Sequence, residues 1–579
     1  MITLENLSFG FPRKDLFDKI SFTLEKGNHC AFIGTSGSGK STLVDILMNP
    51  EDYLYDGALT IDPECHIGYV SQFIPVDTPA ETTVFEYIGG EFIRLQNKIS
   101  DICTQMETAE DIEPLLEAYQ DALDAFDAIG GDLFESEIDK KLGLAQLGKH
   151  KDLLVSQLSG GEFKLIQIIK EMMNRPELLI MDEPDVFLDF DNLNGLRDLM
   201  NAHKGMLLVI THNRYLLNHC FNKIIHLENT ELQEFDGPYA EYTLSLFQKK
   251  IELQEQSITD DEEIERNQGI IDNLRFIASY NTEASRGKAL KARVRYQERL
   301  VARRIKAPFV DIKQPTIRLT TGNPVENTTA IKVSGLNMAF DEALIENGTF
   351  EIRAHDKVAL IGANGSGKTT LLRALFNHKE DSIEIAPEIQ LAYLSQRQGE
   401  MLNESNTILE EFYYGGFNSS NAIRAHLRPY GFDSEFVKQK IDSLSGGEKN
   451  ILQIAKVSSS QANFLLLDEP TSHLDTYAQI ALEEAISNYE GGILMVSHDY
   501  YTIINSMDYV LIIEDKGVRR MSMRKFRKMI YANYFNMDYL QFEQKKLALE
   551  TKIAMALKDY EYGKAKVLSE ELEVLLANL

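Results

Sequence analysis

The chain has 579 residues, 44% of them apolar, enough for roughly two to four domains with their own cores and too apolar for a disordered polymer. Its formal charge of −30, taken whole, argues against a nucleic-acid binder, and no apolar run reaches the ~20 residues that span a bilayer. The start, Met1-Ile2-Thr3-Leu4-Glu5, has no basic and apolar leader pattern. The scattered cysteines Cys30, Cys65, Cys103 and Cys220 form no CxxC pair, so no zinc site, iron–sulfur cluster or disulfide framework is expected, and a reducing cytoplasm fits.

The first element with chemistry is an apolar strand, Cys30-Ala31-Phe32-Ile33. It runs into Gly34-Thr35-Ser36-Gly37-Ser38-Gly39-Lys40-Ser41 and then a helix from Thr42. A strand, a glycine-rich loop and a helix start form a phosphate cradle. Backbone N–H groups approach phosphate oxygens, and the helix end adds positive potential. Lys40 is expected on the β/γ-phosphates and Ser41 on magnesium. Gln72 follows, then a strongly acidic stretch: residues 91–140 hold 14 acids and 3 bases, with a break at Gly130-Gly131. Next come Leu158-Ser159-Gly160-Gly161-Glu162 and an apolar strand ending in Asp182-Glu183. Asp182 is expected to hold magnesium and Glu183 to polarise the attacking water. His212 follows an apolar run that ends in Thr211.

Residues 243–328 then read as two helices packed as a hairpin. One apolar stripe is Ile264, Ile271, Leu274 and Ala278; the other is Leu290, Val294, Val301 and Ile305. The second helix carries nine bases between Arg286 and Lys306 (Arg286, Lys288, Lys291, Arg293, Arg295, Arg299, Arg303, Arg304 and Lys306) against the single acid Glu298. That local +8 is an electrostatic footprint for nucleic acid, hidden by the overall acidity.

The first series then returns in the same order. It comprises the strand Val358-Ala359-Leu360-Ile361, the loop Gly362-Ala363-Asn364-Gly365-Ser366-Gly367-Lys368-Thr369 with a helix from Thr370, then Gln396, Ser445-Gly446-Gly447, Asp468-Glu469 and His498. Ser159 to Asp182 is 23 residues, as is Ser445 to Asp468; Asp182 to His212 is 30, as is Asp468 to His498. Chance does not produce that agreement, and it gives His212 and His498 a functional rather than a packing role. Upstream, the first half carries 42 more residues between loop and Ser159 (125 against 83). By analogy with the first series, Lys368 takes phosphates, Thr369 and Asp468 take magnesium, and Glu469 polarises water. Gln72 and Gln396 count among the expected nucleotide and magnesium ligands.

LSGGE together with a phosphate loop and an apolar strand ending in Asp-Glu resembles the ATP-binding cassettes. The resemblance implies two cassettes closing head-to-tail over two ATP molecules. Ser445, Gly446 and Gly447 would complete the site at Lys40, and Ser159, Gly160 and Gly161 the site at Lys368. It also implies that Phe11 and Phe340 stack on adenine. The expected fold is α/β, with two P-loop cassettes in tandem. A long α-helical hairpin joins them, a helical arm is inserted in the first, and a short helical tail ends the chain. The expected boundaries are 1–242, with the arm at about 88–140, then 243–328, 329–520 and 521–579.

Tandem cassettes with a helical linker and an inserted arm further resemble the ABC-F family. That resemblance implies a monomeric, ribosome-associated ATPase using ATP and Mg²⁺. It would bind near the tRNA exit site, reach tRNA or ribosomal RNA through its linker, and touch a basic large-subunit protein through its acidic arm. It would act as a translation factor or as a ribosome protection factor conferring antibiotic resistance. The alternative is the ATPase subunit of a membrane transporter. The second half reads Thr471-Ser472-His473-Leu474-Asp475 where the first reads Asp185-Val186-Phe187-Leu188-Asp189, so the two sites are expected to turn over at unequal rates. The residues after each LSGGE, Phe163-Lys164 and Lys449-Asn450, lack the arginine often seen there. The tail stripes Leu547, Ile553, Leu557 and Val567, Leu568, Leu572, Leu575 predict a coiled-coil hairpin. A basic cluster (Arg519, Arg520, Arg524, Lys525, Arg527 and Lys528) precedes it.

Overall fold

In the computed structural model, the described residues are 1–11, 14–63, 65–72, 81–109, 112–186, 188–280, 291–296, 316–323, 325–326, 328–339, 343–377, 380–534, 537–558 and 561–577. They fall into two compact units, Met1–Asp236 with Gln314–Ile530, and Gly237–Lys313 with Tyr531–Leu579.

The first unit holds both cassettes, and each builds two sheets. In the first half, β1 (Ile2–Phe11), β2 (Lys14–Leu24) and β4 (Asp56–Ile61) make an antiparallel sheet of order β2-β1-β4. The strands β3 (His29–Ile33), β5 (Ile67–Val70), β6 (Leu178–Asp182), β7 (Met206–Ile210), β8 (Lys223–Glu228) and β9 (Glu231–Asp236) make a sheet of order β5-β6-β7-β3-β8-β9. All pairs in that sheet are parallel except β8–β9. Parallel strands lie covered on both faces, which explains their unbroken apolar runs: every residue of β6 and β7 is buried.

The second half repeats the plan. Its strands are β10 (Thr329–Ala339), β11 (Ala343–Arg353), β12 (Lys357–Gly362), β13 (Ile383–Ile385), β14 (Leu391–Leu394), β15 (Phe464–Asp468), β16 (Gly492–Val496), β17 (Tyr509–Glu514) and β18 (Gly517–Ser522). The orders are β11-β10-β13 and β14-β15-β16-β12-β17-β18, the same as in the first half strand for strand. In both, the phosphate-loop strand lies between a strand that precedes it in the row and one that leads to the edge hairpin. The crevice outside the carboxyl ends of β3, β6 and β7, and of β12, β15 and β16, is where such sheets take ligands.

The extra residues of the first half form an acidic helical hairpin, Gly90–Met106 and Glu113–Ala128. The helix Gly131–Leu144 follows, with Phe134, Ile138 and Leu142 buried. Aromatic rings lock the base of this arm: Phe92 stacks on Phe134 at 4.7 Å and sits 5.3 Å from Phe126. The turn from Glu113–Ala128 into Gly131–Leu144 passes through Gly130 at φ 73°, a left-handed position that favours glycine.

The second unit is helical. One helix, Tyr239–Tyr280, runs 42 residues, about 60 Å. Its Asn267, 2% exposed, donates Nδ2–H to the Arg293 carbonyl (3.3 Å) and accepts from the Arg293 guanidinium (3.2 Å). Residues 291–296 are helical, so the described part of the basic segment packs against the long helix at this level. Arg286, Lys288, Arg299, Arg303, Arg304 and Lys306 lie outside the described residues. The tail forms the helices Met537–Lys558 and Tyr562–Ala577. Their Ile553, Ala556, Leu557, Ala565 and Leu572 share one buried cluster with Leu244 and Ile251 of the long helix. The tail is therefore part of the linker's core, a three-helix arrangement near the linker's base. No helix among the described residues is long and apolar enough to cross a membrane.

Candidate nucleotide-binding sites

Each phosphate loop joins a sheet strand to a helix, β3 to Lys40–Met48 and β12 to Lys368–Asn377. The loop can pass this close only with glycine. A Cβ on Gly34 would stand 2.2 Å from the Leu227 carbonyl oxygen, and one on Gly362 would stand 2.9 Å from that of Ile513. Gly39 and Gly367, at φ 104° and 94°, hold the left-handed turn into the helix. Both lysines are buried and fold back over their loops. Lys40 Nζ donates to the carbonyls of Gly34 (2.9 Å) and Thr35 (3.0 Å), and Lys368 Nζ to those of Gly362 (2.8 Å) and Ala363 (2.9 Å). An ammonium has three donors, so one remains for phosphate in each site.

The hydroxyls of Ser38 and Ser366 are buried in the loops and bond to no protein atom. Buried polar atoms without partners are rare, and matching ones in two phosphate loops suit an oxygen-rich ligand such as a nucleotide. Ser41 hydrogen-bonds the Asp182 carboxylate, and Thr369 Oγ1 donates to Asp468 Oδ1 at 3.2 Å. A hydroxyl and a carboxylate per site are hard oxygen donors, the chemistry Mg²⁺ takes when phosphates supply further ligands. Burial pushes the Asp182 carboxyl up to about 6 and raises Asp468 likewise, a cost that a bound cation relieves. Thr42 lies on the first turn after its loop, half-buried, and Thr370 lines the cavity described below.

Glu183 and Glu469 follow β6 and β15 at φ 45° and 51°, a left-handed conformation that non-glycine residues rarely adopt. The same strain at both positions marks a shared task. Each backbone N–H is tied to the next strand, to Ile210 and to Val496, both at 2.9 Å. The side chains then diverge. Glu183 Oε2 accepts from Gln72 Nε2 at 2.5 Å and from His473 Nδ1 at 3.1 Å. Burial works to raise this carboxyl, but the His473 hydrogen bond and the nearby Lys40 charge help outweigh it and hold it below its ordinary value. Glu469 faces His498 Nε2 at 3.5 Å, and burial pushes it up to about 7. His212 and His498 are held neutral, at about 4 and about 3, by burial and then by the neighbouring Lys40 or Lys368. At neutral pH they act as hydrogen-bonding groups and not as cations.

The two halves meet across these loops. Ser36 Oγ lies 3.0 Å from Ser445 Oγ, and the Ser36 N–H donates to Asp475 Oδ2 at 3.1 Å. A Cβ on Gly447 would stand 2.9 Å from Ser36 Oγ. In the mirror site the Asn364 N–H donates to Asp189 Oδ2 at 3.0 Å. Ser159, Gly160 and Gly161 line the same cavity of about 800 Å³ as Gly365, Lys368, Thr369, Gln396 and Glu469. The structure thus brings Ser445, Gly446 and Gly447 to the loop of Lys40, and Ser159, Gly160 and Gly161 to that of Lys368. The glutamate of each LSGGE has a local task. Glu162 and Glu448 close capping boxes with Ser159 and Ser445 at the starts of the helices Gly160–Met173 and Gly446–Ser459.

Phe11 ends β1 as a 53% exposed residue, its ring edge-on to Phe9 at 5.4 Å. Phe9 neighbours Phe17, whose ring packs at Gly39, so an aromatic row leads from Phe11 to the phosphate loop. Phe340 lies outside the described residues.

Sequence reasoning missed several groups. Glu228, buried at the end of β8, accepts from the Thr35 N–H (3.2 Å) and hydroxyl (3.0 Å); the second loop has Ala363 there, with no hydroxyl to offer. Lys164 reaches the carbonyls of Ser71 and Gln72 and so holds the Gln72 segment. Asn450 Nδ2 donates to the carbonyls of Pro470 (3.0 Å) and Ser472 (2.7 Å) and so holds the turn before His473. These two stand where the family's arginine was expected, and each does its own local work. Arg214 spans the seam: it pairs with Glu483 and with Asp499 (3.0 Å) and lies over the Tyr501 ring at 5.0 Å. No short motif announces such a residue.

Comparison with known proteins agrees with this geometry. A family model described as "ABC transporter" matches residues 17–186 and 345–472. The uncharacterized ABC transporter ATP-binding protein YfmM of Bacillus subtilis (strain 168) is 30% identical over 522 residues, 86% of this chain and 96% of that protein. The ABC transporter F family member 5 of Arabidopsis thaliana is 27% identical over 546 residues, 89% of this chain and 75% of that protein. Among solved structures, the complex of archaeal ribosomal stalk protein aP1 with archaeal ribosome recycling factor aABCE1 aligns with a TM-score of 0.51 at 19% identity. That alignment covers 91% of this chain and 92% of that chain, a likeness of fold. The phosphate loops, the facing LSGGE motifs and these relatives agree: the chain is an ATP-binding ATPase that belongs to the ABC transporter family, and F family members are among its relatives.

Proposed function

We propose that this ATPase works on the ribosome, as an ABC-F factor bound near the tRNA exit site. The observation that carries the reading is the concentration of nine bases against one acid at residues 286–306, in a chain of net charge −30. A transporter motor has no evident use for such a segment between its cassettes. Solved relatives of similar fold are titled as ribosome-bound or ribosome-recycling proteins, which supports the same direction.

In this reading ATP selects the closed pairing of cassettes through its higher affinity for that state. Gly34 to Thr42 and Gly362 to Thr370 wrap the phosphates, Lys40 and Lys368 neutralise them, and Ser159–Gly161 and Ser445–Gly447 close each site from the opposite half. Ser41, Asp182 and Gln72, and Thr369, Asp468 and Gln396, are the groups that would hold Mg²⁺, which when bound neutralises charge on the phosphates. Glu183 and Glu469 take the proton of the attacking water, with His212 and His498 as neutral partners near the γ-phosphate. Phe11 and Phe340 are the residues to stack on adenine. Arg286, Lys288, Lys291, Arg293, Arg295, Arg299, Arg303 and Arg304 contact tRNA or ribosomal RNA around the peptidyl-transferase region, and the acidic arm docks on a basic large-subunit protein. The outcome is rescue of ill-placed tRNA or protection from an antibiotic bound there.

The test is a Glu183→Gln/Glu469→Gln variant given ATP and fractionated on a sucrose gradient. Sedimentation with ribosomes supports the reading. Sedimentation with membranes supports the transporter alternative and overturns it.

A further inference from the structure

The two ATP sites differ most in what the opposite cassette delivers to the hydrolytic glutamate. At the Lys40 site the second half delivers His473, at φ 60° in the left-handed region, with Nδ1 3.1 Å from Glu183 Oε2. Gln72 Nε2 reaches the same oxygen at 2.5 Å and lies 3.0 Å from His473 Nδ1. An ionised carboxylate only accepts, so both nitrogens act as donors converging on one oxygen. The surroundings fix each member. Lys164 holds the Gln72 segment, Asn450 holds Ser472, and Asp475 anchors the same turn to the Ser36 N–H across the seam. The LSGGE glycines make room: a Cβ on Gly447 would stand 2.6 Å from the His473 carbonyl oxygen, and one on Gly446 would stand 3.3 Å from its ring. The corresponding residue of the first half is Phe187, a side chain without a hydrogen-bond donor. Phe187 lies outside the described residues, and Gln396 of the second half is exposed.

We propose that His473 is a positioning residue supplied in trans: it fixes Glu183 and Gln72 when the cassettes close, so that the Lys40 site hydrolyses ATP faster than the Lys368 site and only in the closed pairing. This deepens the ATPase assignment and is independent of the ribosomal reading, since it concerns the purified chain alone. Opening the pair withdraws His473 from Glu183, which couples turnover at this site to closure. The Lys368 site also needs closure, but Phe187 at the corresponding position has no donor to take this role, so that site is suited to holding ATP for longer.

The experiment uses the full-length purified protein without ribosomes. His473→Ala should lower kcat about 10- to 100-fold, the range for losing the setting of a general base, with KM for ATP changed less than about twofold. His473→Asn, whose amide N–H takes the place of Nδ1–H, should recover kcat to within about threefold of the parent. Each substitution is then repeated in two backgrounds. With Glu469→Gln, residual turnover should fall by the same factor as in the parent. With Glu183→Gln, it should change less than about twofold, because the partner of His473 is already gone. Binding of a fluorescent ATP analogue should be unchanged in all His473 variants. Equal losses in the two backgrounds would show that His473 merely holds the seam together and would overturn the proposal. So would a raised KM with kcat intact, or a failure of Asn to rescue while Ala and Asn variants melt like the parent.

Discussion

Arg214→Ala should weaken the pairing of the cassettes without unfolding either one. The guanidinium belongs to the first cassette, while its partners Glu483, Asp499 (3.0 Å) and Thr502 (3.4 Å) belong to the second. All three charged side chains are at most 16% exposed. Removing one partner of a buried ion pair costs about 3–5 kcal/mol, because the remaining charge stays buried without its counterion. Here the carboxylates keep other donors. Glu483 accepts from Asn505 (2.9 Å) and Asp499 from the Tyr501 N–H (2.9 Å), and the single Thr502 hydroxyl proton, 3.0 Å from Glu483 and 2.9 Å from Asp499, serves one or the other. The loss is therefore set lower, at about 2–3 kcal/mol, or about 30- to 150-fold in the closed-to-open ratio. Because ATP must then supply that free energy, the ATP concentration for half-maximal turnover should rise at least about tenfold while far-UV circular dichroism stays that of the parent. Arg214→Ala/Glu483→Ala should be milder than the sum of the two changes by about 1 kcal/mol or more. A half-saturating ATP concentration within twofold of the parent's would refute the reasoning.

Other outcomes follow from the same structure. Neutralising Arg293, Arg295 and Arg299 should weaken ribosome binding and flatten its dependence on salt, by about one unit of log–log slope per lost phosphate contact; co-sedimentation across a salt series measures it. Reversing several acids of the arm between residues 91 and 140, which hold 14 acids and 3 bases, should reduce ribosome co-sedimentation if a basic protein is the contact. Leu572→Ala, which opens a fully buried site between the tail and the long linker helix, should destabilise the helical unit by about 2–5 kcal/mol, seen as a shift in its urea midpoint. Burial first, then the charges of His29 and Lys141, push the His203 imidazole down to about 4. The unfolded chain takes up that proton below about 6.5 and the folded one does not, so stability falls as pH drops from about 6.5 toward 4. His203→Gln should remove about 1–2 kcal/mol of that fall, after allowance for solvent screening of a partly exposed ring; urea melts at pH 7 and pH 5 show the difference.

The parts legible in the sequence were those whose chemistry is local. A phosphate loop is one strand, a few glycines and one helix end, so eight consecutive residues announce it, and equal spacings of 23 and 30 residues carried the repeat through to Glu469 and His498. The facing of Ser445 and Ser36 was reached through family resemblance, since nothing local to either serine implies a partner 409 residues away. The tail's packing on Leu244 and Ile251 was not legible, because apolar stripes on separate helices do not name their partners. Arg214 was invisible for a related reason: a single arginine after Asn213 reads as surface charge until Glu483 and Asp499 are brought to it. His473 was legible as a difference between the halves, but its target, Glu183, emerged only from the geometry across the seam.

The most direct test of the ribosomal reading is the position of the Glu183→Gln/Glu469→Gln protein, locked with ATP and imaged by cryo-electron microscopy on ribosomes from its own lysate. The account predicts both cassettes closed near the tRNA exit site, with the segment around Arg293 and Arg295 against tRNA or large-subunit RNA. Density elsewhere on the particle, or a linker that touches no RNA, would contradict it.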